Sequence, residues 1–124
     1  MLDDDVELES SSSDLFRLVT AMDVAPFPDV VGGAVTNDAR RYMTYAGDIQ
    51  RVGDVLYLTS SITTFSSSSS STDACPRVDL VPNVLLARKT SLLGSHQWDE
   101  QLKVGEHEDF FLRAKQSGLV VFYW

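Results

Sequence analysis

Cysteine is nearly absent: Cys75 is the only one in 124 residues. That excludes an internal disulfide and any zinc site built from several cysteines. Cys75 sits in Thr72-Asp73-Ala74-Cys75-Pro76 with no histidine close in sequence, so it reads as an ordinary thiol. Basic charge is scarce too. Ten Lys and Arg stand against 18 Asp and Glu, a formal charge of −8. Phosphate contacts need a basic face, so the composition argues against a nucleic-acid partner, and equally against an anionic membrane surface. No apolar run approaches the roughly 18 residues of a membrane span. Met1 is followed by Leu2 and three aspartates, where a signal peptide would place a basic and then an apolar segment. Gly32-Gly33 is too short for a nucleotide-binding loop, and no Gly-x-Ser-x-Gly nucleophile motif occurs.

What is present is ordinary for one globular domain: 44% hydrophobic and 23% charged residues. Ser13-Asp14 is a helix start, and Leu15, Leu18, Val19 and Met22 form one apolar stripe that Pro26 and Pro28 end. Val30 to Val35 predicts a buried strand whose glycines permit a bulge or a close approach. Arg40 to Ala46 and Asp54 to Thr59 are β-rich, with a turn expected over Arg51 to Asp54. Val78 to Ala87 is apolar but interrupted by Pro82, which argues for an edge or a strand start. His107 to Gln116 predicts a helix with Phe110, Phe111 and Ala114 on its buried side, stopped at Gly118, before a strand over Leu119 to Tyr123. Strands alternating with two helices predict an α/β class with a mixed sheet. The serine tract at residues 66–71 has no periodicity and reads as a low-complexity insertion. The apolar stub Met1-Leu2 and the apolar run ending at Trp124 suggest that the chain is a fragment.

Two acidic clusters could carry chemistry. Asp3, Asp4 and Asp5 follow the stub, and a divalent cation would relieve the repulsion among them. In an extended segment Asp3 and Asp5 point the same way and could share one metal. A plain acidic, solvated terminus explains the triplet equally well. The second cluster is Glu106-His107-Glu108-Asp109. Acids in a first turn favour the helix dipole, and Asp109 can pair with Arg113 at i, i+4. The alternative is a general base that takes a proton from an attacking hydroxyl. His107 reads as structural or as a rim residue, because no second histidine stands at metal-ligand spacing. Trp98-Asp99, just ahead of this helix, suits stacking on a sugar face; a Trp closing the core edge fits as well.

Taken together and in this order, the clusters resemble the GT-A glycosyltransferases. Met1-Leu2-Asp3-Asp4-Asp5-Val6-Glu7-Leu8 is similar to their Asp-x-Asp region, and Asp29-Val-Val-Gly-Gly to the segment after it. Val84 to Arg88, Trp98-Asp99-Glu100 and Gly105 to Arg113 are similar to their acceptor-side segment. The nearest likeness is to family 2-like transferases of the β-1,4-N-acetylgalactosaminyltransferase (GM2/GD2 synthase) type. The resemblance implies that residues 1–124 are the C-terminal part of a Rossmann-like GT-A domain with a mixed sheet. It implies inverting transfer of a sugar, N-acetylhexosamine among the options, from a nucleotide-sugar donor such as a UDP-sugar to a glycan or glycolipid acceptor. It places Asp3, Asp4 and Asp5 at the donor, with Mn²⁺ or Mg²⁺ on Asp3 and Asp5. Asp109 matches the catalytic base and Glu108 the acid that orients the acceptor, with Trp98, Asp99 and His107 on the acceptor side. It also implies a Golgi membrane setting, although no targeting or membrane segment is visible in this chain.

The chain departs from that pattern at several points. The strands that cradle the base in this family would precede Met1, a later metal-binding His would follow Trp124, and no Gln-x-x-Arg-Trp motif occurs. Whether the isolated chain is active is therefore open. Two other readings compete. Leu2-Asp3-Asp4-Asp5-Val6 also satisfies the Asp-x-Asp-x-Val pattern of haloacid-dehalogenase-like phosphatases, with Asp3 as nucleophile, Asp5 as acid/base and Mg²⁺ as cofactor. The other is a non-catalytic interaction fragment with a solvated acidic face.

Overall fold

Helix α1 (Ser12–Met22) and strand β1 (Val30–Gly32) open the described part of the chain. A hairpin follows, β2 (Gly47–Val52) and β3 (Val55–Ser60), then β4 (Arg77–Val78), β5 (Leu85–Ala87) and a short 3-10 turn at Lys89–Ser91. Helix α2 (Glu106–Gln116) and strand β6 (Val121–Tyr123) close it. The structure is a computed structural model, and it describes residues 12–23, 26–33, 46–60, 75–82, 84–92 and 97–124.

The main sheet has four strands in the order β4-β6-β1-β5, and β2-β3 forms a separate two-stranded sheet. β1 pairs parallel with β6 (Val31 opposite Phe122) and antiparallel with β5 (Val31 opposite Leu86). The protein is therefore mixed α/β with a mixed sheet. Alternation along each strand divides the core in two. Val30, Leu85, Val121 and Tyr123 face α2, joining Phe110, Phe111, Val78, Leu80 and Val81. Val31, Leu86 and Phe122 face α1, joining Leu18, Ala21, Met22 and Cys75. Side chains that point alternately to the two faces demand a helix on each.

Several expectations are corrected. The strand that pairs with β3 is Gly47–Val52, and its last residues, Arg51 and Val52, lie where a turn was expected. The turn itself is the shorter Gly53-Asp54, with Gly53 at φ 62°, as a two-residue loop requires. Residues 40–45 lie outside the described residues. The face that α1 buries is Leu18 and Ala21; Leu15 and Val19 remain about half exposed, because the sheet surface meets only one narrow side of the helix. Pro82 is fully buried in the connection between the two edge strands β4 and β5 and belongs to neither. The close approach expected at Gly32 is real: a Cβ there would overlap the Val81 side chain.

α2 runs one residue longer at its start than expected. Gly105, at φ 79°, leads into it, and the amide of Asp109 donates to the Gly105 carbonyl at 2.9 Å. At the other end Gly118 adopts φ 77°. Leu119 N–H donates to Ala114 O and Gly118 N–H to Lys115 O, each at 3.0 Å, which is the Schellman stop expected from the glycine.

The hairpin is tied to the body along β2. Gly47 exchanges backbone hydrogen bonds with Leu80, and Ile49 N–H donates to the Asp79 carboxylate at 2.9 Å. Lys115 from α2 donates to Ile49 O at 2.7 Å and pairs with Asp79.

Cys75 is half-buried against the α1-side cluster. Burial pushes its thiol up from the ordinary value, opposed in part by a backbone hydrogen bond. The neutral thiol is thus the favoured form in the fold. Its contribution to stability is present below the ordinary thiol range and is lost as pH rises through the raised value. Iodoacetamide at pH 8 is expected to alkylate Cys75 severalfold more slowly in the folded chain than in urea, read by mass spectrometry. Equal rates would contradict the burial.

Candidate functional site

The described acidic residues with chemical potential gather at the N-terminal end of α2. Glu106, Glu108 and Asp109 occupy its first turn, where the helix dipole favours negative charge. Asp109 is held from within the helix. Its Oδ2 accepts from Arg113 Nε at 2.8 Å, completing the expected i, i+4 pair. Arg113 also reaches outside the helix. Its Nη2 donates to Gln97 O at 2.8 Å and thereby fastens the preceding loop beside the Asp109 carboxylate. Both side chains keep about a third of their surface accessible, 29% for Arg113 and 33% for Asp109.

That loop carries Trp98 and Asp99. The Trp98 ring stacks on Phe110, with centroids 3.9 Å apart and planes 18° apart. Trp98 is half-buried, so it closes the core edge with one face. Asp99 is exposed, and its Oδ1 accepts from Gln101 N–H at 2.9 Å, shaping the turn that leads into α2. Glu108 is exposed on the same end of the helix.

His107 lies inward. It is 9% exposed, its Nε2 donates to Val81 O at 2.6 Å, and its ring meets Phe111 edge-on at 5.0 Å. The Trp98 ring centroid is 6.3 Å from it. The structural role expected of His107 matches this position.

The fold thus brings Trp98, Asp99, Glu108 and Asp109 to one end of α2, with His107 beneath them. Asp3, Asp4 and Asp5 lie outside the described residues, so their distance from this end is not defined. Among the described residues, no group of three or more His, Cys, Asp or Glu is placed to hold a metal ion. No described helix is long and apolar enough to cross a membrane.

Two polar anchors were not foreseen from the sequence. Asp29 was noted only as part of a motif. Its carboxylate accepts from Ser91 Oγ at 2.5 Å and from Val120 N–H at 2.8 Å, joining β1, the 3-10 turn and the entry to β6. Arg88 donates through Nε to Pro28 O at 2.9 Å and through Nη2 to Met22 O, tying the end of α1 to the start of β1. Both span about 60 residues or more of chain, and no local pattern marks contacts at that separation.

No model of a known family, no curated protein and no solved structure matches the chain.

Proposed function

We propose that the chain is part of a GT-A-type glycosyltransferase, with the N-terminal end of α2 as its acceptor side. The observation that supports this reading is that Arg113 holds both Asp109 and the loop that carries Trp98. One guanidinium bonds both the Asp109 carboxylate and the carbonyl of Gln97, the residue before Trp98. A carboxylate oriented in this way, with a third of its surface open, suits an acceptor hydroxyl that must be deprotonated as it attacks.

In this proposal Asp109 takes the proton from the acceptor hydroxyl. The oxygen then attacks the anomeric carbon on the face opposite the departing nucleoside diphosphate, which inverts that centre. Glu108 hydrogen-bonds the acceptor, and Arg113 keeps Asp109 in register without touching the sugar. A cation held by Asp3 and Asp5, Mn²⁺ or Mg²⁺, would offset charge on the leaving diphosphate. Donor sugar, acceptor and Golgi setting follow from the resemblance alone.

The test is calorimetric titration of UDP into the folded chain with and without Mn²⁺, beside an Asp3→Ala/Asp5→Ala variant. Manganese-dependent binding that weakens by at least about tenfold in the variant, a loss of about 1.4 kcal/mol, is expected. Absent or metal-independent binding in a chain shown to be folded overturns the reading.

A further inference from the structure

β3 differs from every other described strand: all six of its residues, Val55 to Ser60, are exposed. It is also uncharged. Its apolar side chains are large and half open to water, Val55 52%, Leu56 46%, Tyr57 52% and Leu58 57%. Scattered apolar residues on a surface are ordinary, but a contiguous exposed strand of them marks a contact site or an aggregation edge.

The hydrogen-bond phase of the hairpin shows which backbone groups are available. Val52 pairs with Val55 across the two-residue loop, so this pair exchanges backbone bonds, as do 50 with 57 and 48 with 59. Residues 47, 49, 56, 58 and 60 then direct their N–H and C=O groups outward. On β2 this is borne out independently: Gly47 bonds Leu80, while Ile49 bonds Asp79 and Lys115. The outer edge of β2 is therefore covered by the body at Gly47 and Ile49. On β3 the corresponding groups of Leu56, Leu58 and Ser60 meet no described residue.

We propose that this edge pairs with the same strand of a second copy. Two β3 strands would run antiparallel about a two-fold axis at Tyr57, forming a continuous sheet β2-β3-β3-β2. The outward-directed groups allow this register, in which Leu56 of one copy exchanges bonds with Leu58 of the other. Val55 then lies opposite Thr59, Tyr57 opposite its own counterpart, and Asp54 opposite Ser60. Apolar residues meet across the centre, and no charge faces a like charge.

Charge directs a second copy to this site rather than to the other described elements. Each chain carries −8, so two copies repel wherever acidic surfaces approach. α1, β2, β4, the 3-10 turn and α2 all contain charged residues, and β1, β5 and β6 lie largely within the core. Among the described helices and strands, β3 alone is both exposed and uncharged. A symmetric, self-complementary strand is the usual form of an isologous contact.

The test is sedimentation equilibrium of the full chain from micromolar to millimolar concentration, beside Leu58→Lys and Leu56→Lys variants. A lysine on an edge strand opposes pairing without entering the core. A concentration-dependent dimer is expected, tighter at high salt because the mutual repulsion is screened, and at least tenfold weaker in each variant. Hydrogen exchange of the wild-type chain supplies a readout that does not depend on a variant folding. The Leu56 and Leu58 amides should exchange more slowly as concentration rises, and the Val104 amide should not change. A chain that stays monomeric throughout, Leu56 and Leu58 amides indifferent to concentration, or a dimer undiminished in folded Leu58→Lys would each overturn the proposal. The first of these would leave the edge to a strand of a different chain.

Discussion

Asp109→Asn is expected to slow sugar transfer by about 10²–10⁴-fold, the range that a positioned general base contributes. The same change should leave the fold almost untouched. The Asp109–Arg113 pair is 2.8 Å long but a third exposed, and pairs of this kind contribute at most about 1 kcal/mol. Asparagine keeps the size of the side chain and still offers Arg113 a carbonyl oxygen, so the link from Arg113 to Gln97 O can persist. Chemistry and stability therefore separate cleanly at this residue. Initial rates with a UDP-sugar and an acceptor panel, set beside urea unfolding of the same variant, provide the measurement. Arg113→Gln is the companion. It frees Asp109 to rotate and unfastens the loop before Trp98, so it should lower turnover by a smaller factor and raise the acceptor KM as well. A folded Asp109→Asn protein with wild-type turnover would remove Asp109 as the base, and with it the acceptor side proposed at α2.

Phe111→Ala is expected to remove about 3–5 kcal/mol of stability. Phe111 is 0% exposed and sits at the centre of the α2-side core, with Phe110 edge-on at 5.0 Å and His107 edge-on at 5.0 Å. Truncation opens a cavity that neither ring can fill, because Phe110 is held in its stack with Trp98 and His107 by its bond to Val81 O. A domain of this size is stable by only about 5–15 kcal/mol, so the loss is a large part of the whole. In urea, with a slope of about 2 kcal/mol per molar, the midpoint should fall by roughly 2 M. Phe16→Ala provides the contrast. Phe16 is 70% exposed, and its loss should stay within about 0.5 kcal/mol. A Phe111→Ala shift below about 1 kcal/mol would mean that the helix does not bury this face.

The elements differ in how legible they are in the sequence, and the reason is locality. α2 was readable because its signals are short-range: acids in the first turn, Phe110, Phe111 and Ala114 at helical spacing, and Gly118 at the stop. The Asp109–Arg113 pair followed from the same spacing. The hairpin was readable in kind but not in position. Val, Leu, Tyr and Thr favour strands wherever they occur, whereas pairing register is decided by the turn and by what covers β2. Here Gly53 and the bonds from Gly47 to Leu80 set the pairing of Gly47–Val52, which reaches into the expected turn. In α1 the periodicity was correct, yet Leu18 and Ala21 form the buried side, because which face is covered depends on the height of the sheet beneath it.

By itself the sequence determined both helices, the Gly118 stop, the presence of a hairpin, the α/β class, the negative net charge and the exclusion of disulfides and of clustered-cysteine zinc sites. Each of these is set by residue type or by spacing within a turn or two. Only the tertiary structure decided that α1 and α2 cover opposite faces of one mixed sheet. It alone joined Asp29 to Ser91 and Val120, Arg88 to Met22 and Pro28, and Arg113 to Gln97. It alone left the outer edge of β3 without a partner among the described residues. Those outcomes depend on contacts between distant segments, where burial and geometry choose among partners that local sequence leaves equivalent.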